Sequence, residues 1–431
     1  MSDIDVIVVG AGASGIPAAI AAARSGARVL LLEEDMVPGG APVDTYVAML
    51  CGGPRRGIYR EMIQRLDRDH TPAGAPSPSF GVDGEDGRNH WYLPGSWMSV
   101  GLELINAEPR LRLSCGSRVV GALVEGAGRG TRVDGVRVAA ADGTTRELRA
   151  PVTVDATGTG LVAALAGCAT LYGREARSDF GEPYGPERAD LQVQRCTWMY
   201  VSQRLRPGAV LPYERLTVQA CVEAELDHWV GKVPNDNWAG RDAGIYLHWG
   251  GTVQCRDTRD AVALHEAQRE CLALMRVDLA TLRSAGFTVH LAPRMGVRES
   301  CRAVCDHVVT VTEMKSGVLP DDAVAVGLYG LDAWGEQFSR EEAALPLFGI
   351  PYRALLPRGI DGLLVAGKAI GATHLAASAC RVQPIVASIG QAAGTAAAMA
   401  AHNPAGLRAI DPRALRRSLR DQGTLAPEVT S

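Results

Sequence analysis

The sequence predicts an α/β fold: a parallel sheet laid down in discontinuous pieces, a small antiparallel meander, and an inserted mixed α+β domain. Three observations predict it. The β-branched run IDVIVV at 4–9 ends in GAGASG and is followed by an Ala-rich stretch of helical spacing. A second apolar run, VLLLE at 29–33, closes a unit of about 30 residues, the length a strand–helix–strand crossover requires. The same strand-and-glycine pattern returns only at 360–372, IDGLLVAGKAIGA, ahead of a small-residue helix from about Pro384 to Ala401.

The elements between follow in order. Gly26 closes the first helix, and Val29 opens the second strand of a parallel pair. Residues 70–97 are rich in Pro, Gly and Asp, carry Trp91 and Trp97, and read as an excursion from the core. LRLSCGSRVVGALVEG and VDGVRVAAADGTTRELRAPVTVDATG alternate, with Asp-Gly pairs as turn signals. They predict an antiparallel meander returning to a buried strand at Val152–Asp155. Residues 173–350 mix strand-like and helical stretches, including a helix from about Asp260 to Ala285, and 424–431 reads as a frayed tail. The division is then 1–70, 98–172 and 355–431 for the sheet domain, with 71–97 and 173–354 as the cap over its substrate.

Composition narrows the partners. The 431 residues hold 44 Lys plus Arg against 48 Asp plus Glu, a net charge of −4. That balance gives no footprint for nucleic acid or anionic lipid, so a small-molecule substrate is the expected partner. The apolar opening run follows acidic MSDID and holds Arg24, Ser25 and Arg28, so it reads as neither a targeting segment nor a membrane span. Ten scattered cysteines suit buried free thiols in a reducing cytoplasm, and no metal ligand set is assigned. Leu407, Leu415 and Leu419 pack either within the chain or across a homodimer.

The chemistry begins at GAGASG, residues Gly10, Ala11, Gly12, Ala13, Ser14 and Gly15. The first glycine permits a tight turn, the second admits a pyrophosphate to the backbone, and the third lets helix and strand pack closely. The helix start adds N–H groups and partial positive charge. Glu33 follows Gly15 by 18 residues at the end of the second strand, where its carboxylate accepts ribose hydroxyls; Glu34 points the other way. A purely structural glycine turn is the alternative. FAD and NAD share this fingerprint, and the later segments separate them.

With Gly39-Gly40, the CGG at 51–53, VDATGTG at 154–160, GVRESCR at 296–302 and the run from Leu363 to Ala398, the chain resembles the FAD-dependent oxidoreductases of the glutathione-reductase-like (Rossmann) flavoproteins. It more distantly resembles fumarate reductase and aspartate oxidase flavoprotein subunits. The resemblance implies FAD as cofactor. It places Val119 at the adenine, Gly39, Gly40 and Ala41 along the pyrophosphate and flavin, and Ala156, Thr157 and Gly158 where the chain returns to the cofactor. Gly367 and Lys368 approach the ribityl side, and Gln383 and Pro384 abut the flavin pyrimidine edge. A helix N-terminus there meets the charge that hydride transfer leaves on the ring, although a helix of small residues also serves close packing.

The resemblance also turns His374 and Arg381, flanking HLAASACR, toward the ring. A His can exchange a substrate proton, and an Arg can anchor a carboxylate or the anionic reduced flavin. Arg298 and Arg302 in GVRESCR either orient an anionic group or join an ion-pair network with Glu299. His248, Trp249, Trp334 and Phe338 are pocket or core aromatics, and Cys51 is either a thiol at the ring or an inert buried one. No second glycine fingerprint and no Cys-x-x-Cys or Cys-x4-Cys disulfide follow, against disulfide-reductase chemistry.

The expected function is therefore FAD-dependent transfer of a hydride between a small organic substrate and flavin N5, as a dehydrogenase or oxidase of small-molecule biosynthesis, specialised metabolism included, in the cytoplasm. His374 would accept the substrate proton. Two alternatives stand beside it: an NAD(P)H-dependent reductase or monooxygenase, and a flavin-binding partner without turnover.

Overall fold

The computed structural model describes residues 4–70, 90–126, 128–139, 143–212, 230–233, 244–403 and 405–425. Its centre is a five-stranded parallel sheet in the spatial order Leu363–Val365, Val152–Asp155, Val6–Val9, Val29–Leu32, Leu111–Ser114. The central strands are apolar on both faces because both faces are covered. Val6, Val8, Val29, Leu31, Val152 and Val154 face a core that includes the helices Gly15–Arg24 and Gln383–Ala401. Ile7, Val9, Leu30, Leu32, Leu363 and Val365 face the meander through Val119, Val133, Val136 and Leu148.

The meander is Arg118–Glu125, Thr131–Ala139 and Thr145–Arg149, antiparallel, with Ile360–Asp361 added parallel to Thr131 and Arg132. One sequence expectation is corrected here. Leu111–Ser114 is not a meander strand but the parallel edge of the main sheet, paired with Val29–Leu32. As an edge strand it is only partly covered, so its residues alternate in polarity as a meander strand's would. Likewise Asp134-Gly135 lies inside the strand Thr131–Ala139, whereas Gly143 (φ 82°) precedes the next strand.

Trp97 belongs to the core rather than to an excursion. It is fully buried on the helix Pro94–Asn106 and stacks on Tyr92 with ring centroids 5.5 Å apart, and Gly101 of that helix packs against Ile16. The preceding 71–89 and the tail beyond 425 lie outside the described residues. Leu407, Leu415 and Leu419 are all buried within the chain. The helix Gln383–Ala401 is long and apolar enough to cross a membrane, and most of it lies inside the protein.

The middle of the chain forms an antiparallel sheet in the order Val230–Val233, Ile245–His248, Tyr200–Arg204, Phe287–Leu291. The long helix Ala261–Ser284, capped by the Asp260 side chain on the Val262 N–H, buries Met275, Leu279 and Leu282 with Tyr200, Tyr246 and Phe287. Trp249, just beyond Ile245–His248, meets Trp91 edge-on at 4.9 Å.

Candidate active site

The glycine turn is built by contacts that exclude side chains. Gly10 has φ 95°, donates its N–H to the Leu32 carbonyl at 2.8 Å, and would place a β-carbon 2.7 Å from the Ala156 oxygen. A β-carbon on Gly15 would fall 1.7 Å from the Gly10 oxygen. Those are the tight-turn and close-packing roles. Gly12 differs: its β-carbon would meet only the Gly40 Cα, at 3.6 Å, while one on Gly40 would press to 2.7 Å from the Gly12 Cα. Gly39 donates its N–H to the Ala11 carbonyl, so the 39–41 segment is tied to the first turn, with Ala13 half-buried and Ala41 exposed.

Glu33 is buried at the end of its strand and accepts hydrogen bonds from the Ala11 N–H at 2.7 Å and the Asp35 N–H at 3.0 Å. Burial raises its pKa, and those two N–H groups oppose the rise. Glu34 is exposed and pairs with Arg294 at 3.1 Å, as its predicted outward direction requires. The Ser117 N–H donates to the Glu33 carbonyl, which sets Val119, two residues on, beside this strand end. At the next strand, Asp155 accepts from the Thr157 N–H and hydroxyl and from the Ala163 N–H, fixing the turn Ala156, Thr157 and Gly158.

The carboxy-terminal segment reaches the same place. A β-carbon on Gly367 (φ 73°) would sit 3.2 Å from the Ser14 Cβ. Lys368 lies along Gly158 and donates its Nζ to the Val297 carbonyl at 2.5 Å; burial first, then Arg381, lowers its pKa to about 8. Gly390 and Gly394 of the helix Gln383–Ala401 rest on the Ser14 and Ala18 carbonyls. Gln383 donates to the Val47 carbonyl and accepts from Tyr92 Oη at 3.0 Å, which fixes the helix start at Pro384.

These residues fit a flavin dinucleotide. The facing Gly12 and Gly40 leave backbone bare at the helix start, Glu33 places a buried carboxylate at the strand end, and the buried Ser14 hydroxyl has no hydrogen-bond partner among the described residues.

The proposed chemical residues form a second cluster. His374 opens the helix His374–Cys380 and is buried between two carboxylates: Nδ1 lies 2.8 Å from Glu299 and Nε2 2.9 Å from Glu336. Burial opposes the charged ring, but Glu299 and Glu336 outweigh it and raise its pKa to about 9. Arg302 is wholly buried, 3.0 Å from Glu175 and 3.4 Å from Glu299, and also donates to the Gly173 carbonyl. Its guanidinium is committed to that network. Arg298 donates to the Arg195 carbonyl and to Thr197 Oγ1, and its guanidinium lies 3.8 Å over the Trp334 ring.

Arg381 caps the other end of the His374 helix. It pairs with Asp332 at 2.6 Å and donates Nε to Gln194 Oε1 at 3.0 Å, while the Gln194 N–H donates to Glu299. Gln194 thus ties the Arg381 guanidinium to the carboxylate that holds His374. Burial pushes the Cys51 thiol up to about 11, so it is a neutral thiol there. His248 is buried with Nε2 2.7 Å from Ser202 Oγ and its ring stacked on Tyr200, and Phe338 meets Tyr184 edge-on.

Sequence reasoning found Glu299 through GVRESCR but not Glu175, Gln194, Asp332 or Glu336. These sit on irregular or short segments, where neither periodicity nor a spaced motif marks a side chain.

The profile described as FAD dependent oxidoreductase matches residues 5–419. Among proteins of curated function, none matches. Solved structures that resemble the chain include the anhydrotetracycline hydroxylase OxyS from Streptomyces rimosus, at 16% identity and TM-score 0.46, over 97% of this chain and 69% of that one. The p-nitrophenol 4-monooxygenase PnpA from Pseudomonas putida DLL-E4 gives 12% identity and TM-score 0.45, over 98% and 85%. The L-proline dehydrogenase from P. horikoshii gives 11% and 0.40, over 91% and 92%.

Proposed function

The chain belongs to the FAD dependent oxidoreductase family, and from that premise we propose that it binds FAD across the glycine turn and oxidises a small organic substrate carrying an anionic group. The observation that carries the proposal is the joining of His374 and Arg381 through Glu299 and Gln194.

Glu33, Gly12, Ser14, Gly40, Gly158 and Lys368 would hold the dinucleotide, with Val119 at the adenine. The bound flavin supplies a two-electron acceptor for the substrate C–H hydride. Everything else is the work of the chain. Arg381 and Arg298 orient the anionic group, each guanidinium held by neighbours that fix its plane. Arg302 acts one step back, keeping Glu299 charged and in place. His374 holds its proton near neutrality because two carboxylates flank it. Its role is to keep positive charge beside the reacting centre, both ring nitrogens being taken up by Glu299 and Glu336, rather than to take a proton as a free base.

The finer kinship with fumarate reductase and aspartate oxidase flavoproteins, the division of sheet domain from cap, and a cytoplasmic setting belong to the same proposal.

Anaerobic mixing of the holoprotein with candidate substrates tests it. Bleaching of the flavin by a small carboxylate supports a dehydrogenase or oxidase. Bleaching by NADPH alone, with no effect of any carboxylate, would replace this reading with a reductase or monooxygenase. A flavin that no reductant bleaches would leave a binding protein without turnover.

A further inference from the structure

Cys196 and Cys255 lie together although 59 positions separate them in sequence. The short strands Cys196–Thr197 and Thr252–Val253 pair antiparallel with Cys196 opposite Val253, which sets Cys255, two residues on, on the same side of the ladder as Cys196. Both belong to a small core with Val253, Ala263, Ala267, Cys271 and Met295, separate from the core under the parallel sheet. Cys271 is engaged elsewhere, donating to the Gly251 carbonyl at 3.2 Å and lying 3.6 Å from Met295 Sδ.

Both thiols are buried, Cys255 2% exposed, but Cys255 lies at the wall of an open cavity of about 320 Å3 together with Asp190, Leu191, Gln192, Gln254 and Arg256. The neighbouring Cys196 thiol, against the effect of burial and with help from the Asp257 backbone, lowers the pKa of Cys255, whereas Cys255 and burial raise that of Cys196. A thiol with thiolate character at a cavity wall beside a neutral thiol is the arrangement that redox-sensitive cysteines use.

We propose that Cys196 and Cys255 are a thiol-modification site at which a hydroperoxide forms a reversible disulfide. The Cys255 thiolate attacks the peroxide, the O–O bond breaks, and a sulfenic acid forms with release of water or an alcohol. The Cys196 sulfur then displaces hydroxide from the Cys255 sulfur and gives up its proton, yielding the S–S bond and a second water. Two thiols are oxidised and one peroxide is reduced.

The position gives the bridge a consequence. Cys196 lies between Arg195 and Thr197, whose carbonyl and hydroxyl both hold the Arg298 guanidinium over Trp334. A bridge at Cys196 acts on the main chain that seats Arg298, which makes the pair a control on that guanidinium.

Exposure of the full-length protein to hydrogen peroxide, followed by alkylation and non-reducing peptide mass mapping, tests the proposal without a substrate. The expected product is a Cys196–Cys255 peptide pair that dithiothreitol releases, formed equally in C271S. In C196S the bridge is lost and Cys255 is trapped by dimedone as the sulfenic acid. Recovery of both peptides fully alkylated after peroxide treatment, or a bridge from either thiol to Cys271 in its place, would overturn it.

Discussion

Gly390 of the carboxy-terminal helix lies so close to Ser14 that a β-carbon built on it would be 2.0 Å from the Ser14 carbonyl oxygen. Four residues on, Gly394 stands in the same relation to Ala18, at 1.9 Å. Two segments nearly the whole chain apart are thereby locked at the helix start that faces the proposed pyrophosphate. G390A must move one helix off the other, at a cost of roughly 1–3 kcal/mol or more, and the purified variant should carry less flavin than wild type. G95A, on an open position of Pro94–Asn106, is the control and should change thermal stability little or raise it. Equal flavin content and melting temperature in G390A and wild type would remove the steric argument.

Glu33 offers a prediction that separates the two ends of the cofactor. Its carboxylate sits at the strand end, oriented by Ala11 and Asp35. E33A should weaken FAD binding to the apoprotein by about tenfold or more, near 1.4 kcal/mol, and leave FMN, which has no adenosine ribose, unaffected. Fluorescence titration with both flavins reads the difference. Equal losses for FAD and FMN would show that Glu33 acts only through folding.

His374 carries a pH signature whose sign is fixed. Its pKa is about 9 in the folded chain against 6.5 as the ordinary value, so folding favours the protonated ring. The stability it contributes, about 3 kcal/mol, is fully present below pH 6.5 and is lost as pH rises through 9. Denaturant unfolding of wild type and H374N from pH 6 to 10 should show the gap between them narrowing over that window. A constant gap, or a ring that titrates near 6.5 by NMR, would contradict the buried pairing with Glu299 and Glu336.

Arg381 is held between Asp332 and Gln194, and a lysine cannot reproduce both contacts from one planar group. R381K should raise the KM for an anionic substrate, or the Kd of a carboxylate inhibitor read from the flavin spectrum, by about tenfold, roughly 1.4 kcal/mol. D332N should give a smaller effect in the same direction. Unchanged carboxylate affinity in both variants would move the anionic group away from Arg381.

The legibility of this chain follows backbone repetition. The strand, turn and helix at 4–24 were readable because their apolar period and glycine spacing are set by the backbone, and Val152–Asp155 and Gln383–Ala401 by uninterrupted burial. Leu111–Ser114 misled because an edge strand shows one covered face whether its neighbour is parallel or antiparallel. Glu336 and Asp332 were invisible for a different reason. Each meets its partner, His374 or Arg381, only through tertiary folding of irregular chain, and no local spacing encodes that meeting. The pocket readings of His248 and Phe338 came from residue type alone, and their observed neighbours are Ser202, Tyr200 and Tyr184.

The absorption spectrum of the purified protein, taken before and after acid denaturation with chromatographic identification of what is released, tests most directly whether the two helix starts grip a flavin dinucleotide. The expected result is a yellow protein that releases one FAD per chain into the supernatant. A colourless protein that takes up no FAD, while folded, would return the Gly10–Gly15 turn and the helix that rests on it to a purely structural role.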